Sequence, residues 1–264
     1  MNVPIAKNAF TRDMGNGNRI ILNHHDRDLT KTKIVFGKNC HNNTLVLDKH
    51  VTLNNSIIEF KGSNSVIYID ESKKNYKIIT IIYNNSFLYI GKNCYFNDFN
   101  NSKTVFLIYE HQNIVIGNGC IISYGVTFRN SDGHLIYDIT TSKRINKSKS
   151  IIIGDHVWIG QNCLILKGTL VGSGSIIGAN SVVSGKKIQS NSIWAGNPVR
   201  EVKRGIYWLS ASSNSWGPEE SIKYATLENK KVVYQSEGES SLINCVDNIT
   251  LEHLLKNDKN RFSI

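Results

Sequence analysis

The stretch IGDHVWIGQNCLILKGTLVGSGSIIGANSVV, running from Ile153 to Val183, decides the fold. Within it an aliphatic residue recurs every six positions, at Ile153, Ile159, Ile165, Val171, Ile177 and Val183. Four positions after each of the first five stands a small or β-branched residue: Val157, Cys163, Thr169, Ser175 and Ser181. Three positions after them stand His156, Asn162, Gly168, Gly174 and Asn180. Gly and Asn tolerate positive φ, so this slot reads as a corner. A period of six is neither the 3.6 of a helix nor the 2 of a strand. It describes a short strand, a corner and another strand, with one aliphatic side chain per face turned into a shared core. One coil cannot bury that face alone; stacked coils can, and their hydrogen bonds pass from coil to coil.

Outward from this stretch the same phrase returns upstream. It reads Phe36-Gly37-Lys38-Asn39-Cys40, Ile90-Gly91-Lys92-Asn93-Cys94 and Ile116-Gly117-Asn118-Gly119-Cys120, the last followed by Ile122 and Phe128 at six-residue steps. The solenoid is therefore expected to begin near Ile34. Between Glu59 and Tyr89 the period blurs, and β-rich runs such as Lys77 to Tyr83 predict longer strands or bulged coils. Cys40, Cys94, Cys120 and Cys163 all fall in the small inward slot, which assigns them to packing rather than to catalysis. Five cysteines without a CxxC pair exclude a disulfide scaffold, a zinc ribbon and a redox motif. Two segments break the repeat: Arg129 to Ser150, and everything after about Arg200. In the second, Trp208, Trp216 and the stretch Glu219 to Ala225 predict a partly helical tail whose apolar residues cover the end of the stack. The expected division is a capping segment 1–33, a solenoid 34–204 with its insertion 129–150, and an extension 205–264.

The chain has 264 residues, 40% of them hydrophobic and only 3 of them Pro, which excludes wholesale disorder and Pro-rich linkers. No apolar run is long enough for a membrane span, and the start lacks a signal-peptide pattern, so the expected compartment is the cytoplasm. The net charge of +10 is unevenly spread: residues 139 to 204 carry 10 basic and 2 acidic side chains. Such a patch suits a polyanion or a phosphorylated ligand, although a solvated surface of ordinary lysines has the same composition. Nucleic acid is disfavoured, because aromatics do not interleave with these charges.

The hexad run resembles the hexapeptide-repeat acyltransferases over roughly residues 34 to 204. Gly154-Asp155-His156-Val157-Trp158-Ile159-Gly160 looks like that family's G-x-x-V-W-I-G phrase. Ile177 to Val183 looks like its I-G-A-x-S-V-V, and Ala195-Gly196-Asn197-Pro198-Val199-Arg200 like its A-G-N-P-x-[KR]. The loop Ser131 to Asp138 is similar to the catalytic loop of bacterial capsule and polysialic acid O-acetyltransferases. The resemblance implies an all-β fold, a left-handed parallel β-helix with an inserted catalytic loop and a mixed C-terminal tail. It implies a homotrimer with each active site shared between two subunits, and acetyl-CoA as acetyl donor.

Acyl transfer from a thioester to a sugar hydroxyl needs a base, a stabiliser for the oxyanion and a site that holds both reactants. Imidazole suits the base role because its pKa lies near the working pH. Of the 8 histidines, His50 and His156 occupy corner slots that face solvent, His24, His25 and His253 lie outside the repeat, and His41 and His111 have no motif around them. His134 lies in the insertion beside Asp132 and Gly133, and is assigned as general base. Asp132 can fix the imidazole tautomer, or it can cap its own turn. Trp158 occupies an outward slot, where an indole either seals a subunit contact or, as the resemblance implies, pairs with the loop histidine and donates its N–H to the thioester oxygen.

For the donor, the resemblance implies a groove in which Gly160, Gly178 and Ala179 let the pantetheine arm approach. Ser184 sits at the next corner, and Lys186, Arg200 and Lys203 supply charge for the CoA phosphates. The segment Ser184-Gly185-Lys186-Lys187 departs from the family's usual spacing, which leaves open which lysine meets a phosphate. Tyr137, Lys143 and Arg144 border the acceptor entrance, suited to an anionic polysaccharide such as a sialic acid polymer and to a neutral one nearly as well. Two rivals stand beside this reading: an acetyltransferase acting on a nucleotide-linked amino sugar or an antibiotic, and a non-catalytic β-solenoid that only binds. No metal site is expected, since a zinc centre on this coil needs three clustered histidines.

Overall fold

A computed structural model describes residues 9–23 and 29–227. The chain winds through three faces in a fixed order, as the coil Ile151–Ile153, Trp158–Ile159, Leu164–Leu166 and back to Leu170–Val171 shows. On the first face, parallel strands succeed one another from Arg19–Leu22 to Lys187–Ile188. The second face is a seven-stranded parallel sheet from Lys33–Phe36 to Val182–Val183. The third face carries three parallel strands from Leu29–Thr30 to Asn75–Tyr76, then a break, then a parallel run from Tyr95–Phe96 to Ser192–Ala195. The result is an all-β parallel β-helix.

The period of six maps directly onto these faces. Ile153 stacks on Val171 on the first face, Ile159 on Ile177 on the third, and Ile165 on Val183 on the second. All six are buried in one continuous core. The corner slots have positive φ without exception: 53° at His156, 55° at Asn162, 73° at Gly168, 72° at Gly174 and 54° at Asn180. Val157, Cys163, Thr169, Ser175 and Ser181 are buried behind them, and Cys40, Cys94 and Cys120 fill the same slot in earlier coils. Each buried aliphatic of this kind contributes about 1.5–3 kcal/mol. Cys245 lies outside the described residues, as do His24, His25 and His253.

Three expectations need correction or refinement. Parallel stacking begins at Arg19–Leu22, ahead of the expected start near Ile34, and among the described residues Phe10–Asp13 is the capping strand, pairing antiparallel with Arg19–Leu22. Between Glu59 and Tyr89 the coils are complete, and the blurred period reflects strands of four and five residues, Ile57–Phe60, Val66–Ile69 and Ile78–Ile82. The tail does contain a helix, Pro218–Lys223, but the helix lies exposed. The described part of the tail, up to residue 227, returns along the corner between the first and third faces; the remainder lies outside the described residues. There Ile206 N–H donates to Asn191 O at 2.9 Å, and Trp208 reaches His156. The third face is finished by Arg200–Arg204, which pairs antiparallel with Ser192–Ala195. No described helix is long and apolar enough to cross a membrane.

Candidate active site

The insertion leaves the second face after Thr127–Arg129 and rejoins the first at Ile151–Ile153. It therefore springs from the vertex between those two faces, the vertex opposite the third face. Its base is tied down by side chains that no local pattern marks. Arg129 donates to Ser131 O at 2.7 Å and to Asp132 O at 2.9 Å. Asn146 donates through Nδ2 to Asp132 Oδ2 at 2.9 Å and to His134 O at 2.7 Å, while its Oδ1 accepts from Ile136 N–H at 2.9 Å. The loop closes on itself as a short hairpin in which Tyr137 bridges Arg144 and Ile145 N–H donates to Ile136 O at 3.0 Å.

Two ion pairs then clamp this hairpin to the coils. Arg144 forks onto the Glu110 carboxylate of the preceding coil, with Nη2 to Oε2 at 2.9 Å, and Ser148 donates to the same carboxylate. These bonds, Arg144 first, hold the Glu110 carboxyl down at about 2. Lys167, from the following coil, pairs with Asp132 and with Asn146 holds that carboxyl below its usual range. Asp132 thus turns to Lys167 and Asn146 and makes no hydrogen bond to the imidazole. Arg144, expected at the acceptor entrance, is engaged by Glu110. His134 itself projects exposed from a fixed backbone, beside the exposed Tyr137 and Lys143. At the base of the loop lies a cleft of about 480 Å3, lined by Tyr83, Asn84, Tyr109, Glu110, His111, Ser131, Gly133, Leu135 and Arg144. The Tyr83 and Tyr109 rings stack in it at 4.8 Å.

Trp158 stands on the third face, 41% exposed, between Ile121 and Ile176 in the outward column. Its neighbour Trp208 was not visible as a site residue in the sequence. The Trp208 ring lies 3.8 Å from that of His156 at 6°, Trp208 Nε1 donates to His156 O at 3.0 Å, and His156 Nε2 meets Trp208 O at 3.0 Å. His156 is therefore a covered corner residue rather than a solvent-facing one. Trp208 also sits 6.0 Å from Trp158.

The expected donor residues fall into two groups. Gly160, Gly178 and Ala179 occupy the corner that follows Trp158, with Arg200 and Lys203 exposed on the strand that ends the third face. Ser184 and Lys186 lie exposed on the vertex that carries the loop. The small size of Gly160 has a structural cause as well, since a Cβ there would lie 2.6 Å from Ala179 N in the next coil. Within one chain, His134 and Trp158 stand on opposite sides of the triangular stack, and among the described residues nothing joins them.

The geometry is that of a six-residue-period β-solenoid with one loop excursion that presents an exposed histidine. The family described as bacterial transferase hexapeptide (six repeats) matches residues 150–185. The polysialic acid O-acetyltransferase of Neisseria meningitidis is 30% identical over 118 residues, 45% of this chain and 53% of that protein. The polysialic acid O-acetyltransferase of Escherichia coli O1:K1 / APEC is 49% identical over 96 residues, 36% of this chain and 31% of that protein. The matches thus span about half and about a third of these curated relatives. Among solved structures, the polySia specific acetyltransferase NeuO superposes with a TM-score of 0.63 and 30% identity, covering 79% of this chain and 94% of that one. The polysialic acid O-acetyltransferase OatWY shares the fold, with a TM-score of 0.57 and 24% identity over 73% and 94% of the two chains. The chain belongs to the left-handed β-helix hexapeptide-repeat acyltransferases, with polysialic acid O-acetyltransferases among its relatives.

Proposed function

We propose that the protein is an O-acetyltransferase that moves acetyl from acetyl-CoA to a hydroxyl of a bacterial surface polysaccharide containing sialic acid, and that it works as a homotrimer. The observation that carries this reading is the pinned loop with His134 at its surface, in a chain whose similar relatives are named for that reaction. His134 takes the proton of the acceptor hydroxyl as its oxygen attacks the thioester carbonyl, and returns it to the departing CoA thiolate as the C–S bond breaks. Trp158 donates its indole N–H to the carbonyl oxygen, where negative charge develops. Asp132 acts indirectly, through Asn146, which holds the carbonyl of His134 and so fixes where the imidazole stands.

The separation of His134 from Trp158 within one chain is the argument for the trimer, because a second copy brings one chain's loop against the next chain's third face. The same contact would join Ser184 and Lys186 to Gly160, Gly178, Arg200 and Lys203 around one CoA. The outer side of the second face supports it: Ile57, Ile79, Val105, Thr127, Leu164 and Val182 form one outward column, all half-buried. Apolar loop residues point the same way, with Leu135 60%, Ile139 99% and Ile145 64% exposed in one chain. The test is His134→Ala, expected to lower acetyl transfer from acetyl-CoA to polysialic acid by at least ~100-fold with an unchanged melting temperature. Near-normal turnover would remove the base assignment.

A further inference from the structure

Beyond the reacting centre, the third face holds a second feature on the same outward column as Trp158. The parallel register pairs Tyr95 with Ile121, and Ile121 with Trp158. Neighbouring strands lie about 4.8 Å apart, so Tyr95 stands roughly 10 Å from Trp158 along the axis. Both rings are 41% exposed. Beside Tyr95 the ladder of the third face is interrupted, between Asn75–Tyr76 and Tyr95–Phe96. A cleft of about 270 Å3 opens there, with Asn54, Asn75, Lys74, Lys77, Tyr95 and Asp98 on its walls. Lys74 Nζ lies 5.5 Å from the centre of the Tyr95 ring. Lys77 is paired with Asp98, the one carboxylate on the wall, so the ammonium of Lys74 carries the unbalanced charge of the cleft.

An aromatic surface, an adjacent ammonium and two amide side chains in one hollow match the chemistry of a sugar residue bearing a carboxylate. Its apolar ring face lies on Tyr95, its carboxylate meets Lys74, and its hydroxyls meet Asn54 and Asn75. A monomeric substrate has no use for such a hollow two rungs from the chemistry; a polymer does, since its neighbouring residues pass that point. We propose that this cleft is a subsite for an anionic sugar residue of the acceptor chain, at a distance from the residue being acetylated. The proposal rests on the reading of the protein as a polysaccharide O-acetyltransferase.

The test measures binding of end-labelled polysialic acid, and of neutral dextran of matched length, to the full chain and to Lys74→Ala and Tyr95→Ala, with acetyl transfer assayed on the same preparations. The expected result is about tenfold weaker polysialic acid binding in both variants and a flatter salt dependence in Lys74→Ala. Lys74→Arg and Tyr95→Trp should recover most of the affinity, and dextran should bind poorly to every form. Polysialic acid affinity unchanged within twofold, equal binding of dextran, or a changed sedimentation coefficient in Lys74→Ala would overturn the subsite, the last by making it a contact between copies. Normal binding loss in a protein that transfers no acetyl group would leave the subsite standing and remove the enzymatic reading instead.

Discussion

The corner residue His156 shows how a single side chain can satisfy one rule of the sequence and still be misplaced by it. Its positive φ of 53° follows from the six-residue period, which needs a corner there. Its environment does not follow, because Trp208 comes from 52 residues further along and stacks on it. The pair forms a clasp of one ring stack and two hydrogen bonds that ties the tail beside Trp158. Trp208→Ala removes the ring stack and the indole N–H donor, leaving only the bond to the backbone carbonyl of residue 208, and should expose the chain after Arg204 to trypsin at least ~10-fold faster, since a locally released segment is cut in proportion to its open population. Trp208→Phe keeps the stack and loses the N–H donor, so its cleavage rate should fall between the two; rates equal to wild type in both variants would show that the tail is held elsewhere. By contrast the buried cysteines and the six aliphatics from Ile153 to Val183 were legible in full, because their burial is set by neighbours a fixed number of positions away.

At the scale of the element, the loop was legible as an excursion but not as a rigid one. Its position follows from the gap between Phe128 and Ile153 in the repeat. Its rigidity depends on Glu110 with Arg144 and on Asp132 with Lys167, pairs 34 and 35 positions apart, and no spacing rule connects them. For the same reason the sequence, which reads Arg144 as bordering the acceptor entrance, does not show that it also anchors the loop through Glu110. The anchors make a prediction about acid. Glu110 has its carboxyl lowered from 4.5 to about 2, and Asp132 is lowered in the same direction. A carboxyl lowered by folding contributes stability that is fully present above its unfolded value and is lost as pH falls through the folded one. Wild type should therefore melt higher than Glu110→Gln at neutral pH, and the gap should close between pH 4.5 and about 2. A gap that persists unchanged to pH 2 would mean that the carboxylate is not what holds the loop.

For the whole molecule, the solenoid was readable from the period, while its beginning was not, and its hand came only from the family resemblance. The first coil, from Arg19 to Phe36, lacks the Gly-x-Asn-Cys corner phrase and has longer strands, so it offered no phase to count from. The assembly yields a sharper prediction. If each site takes His134 from one copy and Trp158 from the next, His134→Ala and Trp158→Ala proteins should each be nearly inactive alone. Refolded together, they should regain a measurable fraction of wild-type turnover, because every mixed trimer holds one intact pair. No recovery in mixtures shown to have exchanged subunits would mean that the two residues do not meet in one site across copies. The way the stack finishes bears on this association too. At each end of the described residues one face finishes in an antiparallel strand, Phe10–Asp13 on the first face and Arg200–Arg204 on the third, which stops that face from adding a further parallel rung. In the trimer proposed above, copies meet flank to flank, a geometry in which the loop of one reaches the tryptophan of another.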